Sequence, residues 1–345
     1  MADGCLTRAV KENVLIQSGD CSVTLLPEFG GKIASICVRN RELLQAPLAE
    51  IGPRTRTMAF EKSDASGWDE CLPSVAACEV ETERGAAKIP DHGDLWRVGW
   101  EVQGPVNANR VPGTKGVAEG AAGRRRGTAS ITLKGECFSL PLSLERKLVL
   151  ERTAKGCELQ FDYKLTNRGQ VQSPWSWAAH PLFRVEEGDT ILLPDSIRAV
   201  KVEGSRGARL GSAGDEASWP VASTKDGEAD LRAVQAERSG IAEKLFAGPL
   251  KPGEGWCELR RPKAGVNIRF SFDPKATPFL GVWLCYGGWP ERPGPKQMCA
   301  ALEPATAPVD SLAKGGKWTK VLEPGDSAAW PLTVKIEVSQ VAQHA

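Results

Sequence analysis

The sequence predicts an all-β protein built from antiparallel sheets. Three observations carry this reading. Apolar and polar residues alternate with period two from end to end, Gly and Pro are abundant at 36 and 24 copies, and long stretches of helical period are scarce. Strands with one apolar and one polar face belong to antiparallel sheets or sandwiches, not to a parallel sheet buried on both faces.

The elements follow in chain order. Cys21, Val23 and Leu25 alternate with Ser22 and Thr24, and the turn signal Glu28-Phe29-Gly30-Gly31 follows. Leu140, Leu142 and Leu144 alternate with Pro141, Ser143 and Glu145. Leu159, Phe161, Tyr163 and Leu165 alternate with Gln160, Asp162 and Lys164, up to the turn Asn167-Arg168-Gly169. Val266, Ile268, Phe270 and Phe272 form a fourth series, and Trp330, Leu332, Val334, Ile336 and Val338 a last one. The short apolar clusters Ile241–Phe246 and Ser311–Ala313 read as turns of helix. Two stretches, from Asn107 to Thr128 with its run Arg124-Arg125-Arg126 and from Gly204 to Asp230, read as long polar hairpins or loops. Neither has the length or purity of a linker, so 1–345 is expected to form one large domain with its core at about 14–338.

Composition narrows the function. Lys and Arg number 44 against 43 Asp and Glu, which excludes a bulk polycation built for nucleic acid. No stretch reaches the roughly 18 apolar residues of a membrane span, and the N-terminus shows no signal-peptide pattern. A cytoplasmic protein is therefore expected. The ten Cys include no Cys-x-x-Cys pair and sit in apolar surroundings, so buried reduced thiols are expected, with no metal site. Trp is frequent at 11 copies, and His is rare at three: His92, His180 and His344.

Four segments can carry chemistry. Gly67-Trp68-Asp69-Glu70 places two carboxylates beside a Trp, of which a strand would aim only one into a given pocket. Asp91-His92-Gly93-Asp94-Leu95-Trp96 sets a His in a polar loop, which fits ligand contacts as well as backbone capping. Trp175-Ser176-Trp177-Ala178-Ala179-His180-Pro181 joins aromatics to a His whose backbone the following Pro keeps extended. Leu302-Glu303-Pro304 places a Glu at the end of an apolar stretch, where partial burial raises its pKa toward that of a general base. Dinucleotide, Walker and nucleophile-elbow patterns are missing.

Taken in order, these segments resemble the aldose 1-epimerase (galactose mutarotase-like) family. The resemblance rests on Gly-Trp-Asp-Glu at 67–70, Asp-His-Gly-Asp-Leu-Trp at 91–96, Ala-His-Pro-Leu-Phe at 179–183 and Leu-Glu-Pro at 302–304, and runs from about Val14 to Val338. It implies a β-supersandwich with a carbohydrate cleft across one sheet. It implies His180 as the acid at the ring oxygen of a pyranose and Glu303 as the base at the anomeric hydroxyl. It also implies His92, Trp68, Asp69, Glu70, Asp94 and Trp177 as substrate contacts, with no cofactor. Lys244 stands near the place where family members carry an Asp that grips sugar hydroxyls. Lys244 is thus a candidate contact for an acidic, modified or oligomeric sugar. The Arg that usually binds sugar near the first sheet has no clear counterpart, and Trp68-Asp69-Glu70 is the candidate for its place.

The expected partner is a monosaccharide or modified sugar, with the chain a monomer or homodimer and neither nucleic acid nor membrane involved. Two other functions fit the same scaffold: a non-catalytic carbohydrate-binding or regulatory protein, and a lyase or hydrolase of polysaccharides.

Overall fold

The chain alternates apolar and polar residues because two antiparallel sheets must each bury one face. A computed structural model describes residues 13–107, 109–111 and 128–339. His344, Cys5 and the run Arg124-Arg125-Arg126 lie outside them. The larger sheet has twelve strands, and its middle runs Ile241–Ala247, Phe279–Tyr286, Met298–Ala305, Ala178–Arg184, Trp68–Cys71 and Lys32–Val38 in spatial order. The smaller has eight, with Val266–Phe272, Ser327–Val338, Gly156–Asn167, Leu142–Arg152 and Ala129–Glu136 side by side. The neighbours named here pair antiparallel. This is an all-β fold.

The period-two series lie on these strands. Gly156–Asn167 buries Leu159, Phe161, Tyr163 and Leu165 and exposes Gln160, Asp162 and Lys164. Each fully buried Leu or Phe contributes roughly 1.5–3 kcal/mol. One apolar cluster joins the facing sides of both sheets and includes Val23, Ile36 and Leu302 from the larger and Leu148, Phe270 and Val334 from the smaller. The described cysteines are all free.

One reading of local structure changes. Ile241–Phe246 is not a helical turn but part of the strand Ile241–Ala247, which is buried from Ala242 onward. With both faces covered, the strand shows no apolar–polar alternation, and the buried Glu243-Lys244 pair inside it leaves no period to separate it from a helix. The stretch from 204 to 230, expected to be a polar hairpin or loop, contains the short hairpin of Val221–Thr224 and Gly227–Asp230. Leu312–Lys314 is a 3-10 turn, as are the other helices among the described residues. None of these helices is long and apolar enough to cross a membrane.

Candidate active site

Strand parity sorts the candidate residues into two groups. Trp68 and Glu70 point to the face of the larger sheet that meets the smaller one. Asp69 points to the other face. The register sets Asp69 opposite His180. Ala178 pairs Ala305 and Leu182 pairs Ala301, so the same register sets His180 opposite Glu303. Glu303 in turn lies opposite Gly281. Directly opposed residues share a face, with Cβ atoms about 5 Å apart. A row Asp69–His180–Glu303–Gly281 therefore crosses four strands on the face turned away from the smaller sheet.

A cleft of about 310 Å³ opens over this row. His92, His180, Lys244 and Glu303 line it together with Phe60, Trp283, Trp289, Gln297, Asp91 and Asp310. This volume lies at the small end of ordinary ligand sites. His92 reaches the cleft from a loop anchored on the sheet. Gly93 has φ +67°, and a Cβ there would lie 2.2 Å from the Leu72 carbonyl oxygen, so only glycine lets the loop approach so closely. The His92 ring stacks on Phe60 with centroids 3.8 Å apart and meets the His180 ring edge-on at 5.1 Å. Trp283 donates from Nε1 to Gln297 Oε1 at 3.0 Å, which holds its indole in the wall.

Electrostatics tune the two central groups. His180 is buried, and burial, reinforced by the positive charges of Lys244 and Lys32, holds its imidazole well below its ordinary pKa. Glu303 is fully buried, and burial raises its carboxyl above the ordinary range, with Lys244 pulling it back. Lys244 Nζ donates to Glu303 Oε2 and lies 3.5 Å from Asp310 Oδ1. Burial opposes the charge on Lys244, yet the carboxylates of Asp310 and Glu303 outweigh it and raise its pKa. Glu303 Oε1 is buried without a hydrogen-bond partner.

The structure does not bring Trp68, Asp69, Glu70, Asp94 and Trp177 to the cleft wall. Trp68 is fully buried between the sheets, against Phe161 and Phe270. Glu70 accepts from Arg146 Nη1 at 2.9 Å, Tyr163 Oη at 3.0 Å and Trp177 Nε1 at 2.9 Å, so it and Trp177 form a polar knot in the core. Asp69 faces the cleft side but is roofed over, with Lys32 Nζ at 2.6 Å and Arg54 Nη1 at 3.4 Å. Asp94 Oδ2 accepts from the backbone N–H of Phe138 and Ser139 and from the Ser139 hydroxyl. Asp69, Glu70 and Trp177 spend their hydrogen bonds inside the protein, as buried polar groups usually do, whereas Trp68 Nε1 and Asp94 Oδ1 are buried without a partner.

Phe60, Trp283, Gln297 and Asp310 are wall residues that the motifs did not reveal. Three of them sit outside any motif, on loops or beside them. Trp283 lies on a strand whose apolar run suggested burial alone. Asp91 belongs to the segment Asp91-His92-Gly93-Asp94-Leu95-Trp96 and lines the cleft beside His92, while Trp289 lies outside the four segments. Among the described residues no three His, Cys, Asp or Glu side chains gather as metal ligands.

No protein-family model matches the chain, and no curated protein matches it in sequence. Solved structures do match. The Slr1438 protein from Synechocystis sp. PCC 6803 superposes with a TM-score of 0.68 at 16% identity, over 98% of this chain and 100% of its own. A galactose mutarotase related enzyme from Lactobacillus acidophilus gives 0.63 at 13% identity, over 95% and 100%. The GalM/aldose epimerase homologue from C. elegans gives 0.57 at 12% identity, over 95% and 99%. The chain thus has the fold of the galactose mutarotase-like and aldose 1-epimerase proteins.

Proposed function

We propose that the protein is an aldose 1-epimerase-type isomerase that interconverts the anomers of a sugar. The observation that carries this reading is the placement of His180 opposite Glu303 on the floor of a cleft of about 310 Å³. Glu303 takes the proton of the C1 hydroxyl. The C1–O5 bond breaks, its electron pair stays on O5, and His180 supplies the proton that O5 gains. The open-chain aldehyde turns about C1–C2. On closure O5 returns its proton to His180 as it attacks the other face of C1, and O1 regains a proton from Glu303. Protons move only between these two side chains and the sugar, so the step needs no cofactor. Burial disfavours the imidazolium at position 180, so the proton His180 gives to O5 comes from the fraction of protein that carries it, and closure returns it. Trp283 and Trp289 offer flat apolar surface to the sugar ring.

The test is anomeric exchange measured by NMR or polarimetry on a panel of aldoses. The wild-type protein is expected to accelerate exchange for at least one sugar, with H180A and E303A both inactive and folded. Equal rates with and without the protein for every sugar would refute the reading. The Lys244–Glu303 contact supports a second reading, a carbohydrate-binding protein without turnover, because it occupies one oxygen of the proposed base. Calorimetric sugar binding without exchange would select it.

A further inference from the structure

The Glu303 carboxylate is held asymmetrically. Its Oε2 accepts from Lys244 Nζ, whereas its Oε1 is buried without a hydrogen-bond partner in a residue that lines the cleft. The opposite position is Gly281, and a Cβ there would stand 3.1 Å from Glu303 Oε2 and 3.2 Å from Glu303 Cβ. Gly281 thus leaves room beside Glu303 that a side chain would take up. Lys244 pairs with Trp283 across the strands, two residues along from Gly281, and must reach diagonally to Glu303. Asp310 steadies the ammonium from its other side at 3.5 Å, and Phe246 lies under it at 5.4 Å from the ring centroid.

We propose that Lys244 is the positioning residue of the base: it ties down Oε2 and so presents Oε1 to the anomeric hydroxyl of the sugar. This deepens the epimerase reading and rests on it. It also changes the part expected of Lys244. With both Glu303 and Asp310 against it, the ammonium is engaged inside the protein instead of waiting for an anionic group on the sugar. Lys244, Asp310 and the His92 imidazole act on Glu303, and Lys244 alone both bonds it and opposes the cost of its burial.

The experiment uses the full chain and the variants K244M and K244R. Met keeps most of the length and apolar stem of Lys without its ammonium, and Arg keeps the charge. Isotope-edited infrared spectroscopy follows the protonated carboxyl band of Glu303, assigned by its loss in E303Q. In K244M the midpoint of that band is expected at higher pH by at least about one unit, a tenfold change in proton affinity, with K244R near wild type. The acid limb of the exchange rate should move by the same amount. An unmoved infrared midpoint in folded K244M would overturn the assignment. So would an equal rate loss at every pH with K244R no better than K244M. The infrared readout needs no turnover. A shifted band in a protein that exchanges no sugar would therefore uphold the role of Lys244 toward Glu303 and remove the epimerase reading.

Discussion

Replacing Glu70 with Gln should cost stability and leave sugar affinity unchanged. Glu70 is fully buried and accepts three hydrogen bonds, from Arg146, Tyr163 and Trp177. The Gln amide can keep one oxygen for Arg146 and Tyr163. It then turns its NH2 toward Trp177 Nε1, donor against donor. A buried donor left without a partner costs about 1–3 kcal/mol. Arg146 is 1% exposed and loses its counter-ion, although it still donates to the Gly31 carbonyl. Breaking a buried ion pair from one side costs about 3–5 kcal/mol, and since these terms overlap the expected loss is about 3–5 kcal/mol in total. Urea unfolding followed by Trp fluorescence measures it. Calorimetry with any sugar that binds the wild type supplies the second readout. If E70Q keeps its stability within about 1 kcal/mol of wild type and loses sugar affinity, Glu70 is a ligand contact and the core assignment is wrong.

Two further outcomes follow from the same geometry. Burial raises the Asp64 pKa, but Lys32, Arg54 and Ser66 lower it more, from the ordinary 3.8 to about 2. A carboxylate with a lowered folded pKa adds stability that is fully present above pH 3.8 and disappears as pH falls through about 2. D64N should therefore lose about 2 kcal/mol at neutral pH in denaturant titrations, with the gap to wild type closing toward pH 2. A persistent gap at low pH would mean that shape, not charge, is what Asp64 contributes. In G281A the added methyl lies 3.1–3.3 Å from Glu303 and the Phe246 ring, tight enough to displace the carboxylate. The exchange rate should fall about tenfold or more while the unfolding midpoint moves little, since a misplaced catalytic group loses rate steeply. Unchanged exchange in a folded G281A would show that the gap beside Glu303 is not needed.

The sheets were legible because burial on one face writes a period of two into each strand. Gly156–Asn167 and Ser327–Val338 show it most clearly. Ile241–Ala247 was not legible, because both its faces are covered and the period vanishes. At the site, His92, His180, Lys244 and Glu303 come together in one cleft. Their neighbours in sequence do not, because a strand sends adjacent residues to opposite faces. Asp69 and Glu70 illustrate this: one meets Lys32, the other Arg146. Parity alone could have separated them, but which face holds the cleft depends on where the second sheet packs. Asp310 and Gln297 carried no signal, since only the folded loops bring them to the wall.

The row across the larger sheet divides the labour of the cleft. Its floor is set by hydrogen-bonded register, so the spacing of His180 and Glu303 is as rigid as the sheet and independent of the loops above. Phe60 reaches the cleft from the 3-10 turn Phe60–Lys62 and His92 from a loop. A slip of one residue in the strand Met298–Ala305 would turn Glu303 into the interior, whereas changes in the loops leave the floor untouched. Under the epimerase reading proposed above, drift in these loops would retune which sugar is held, and a change of preference need not pass through a form that has lost its chemistry.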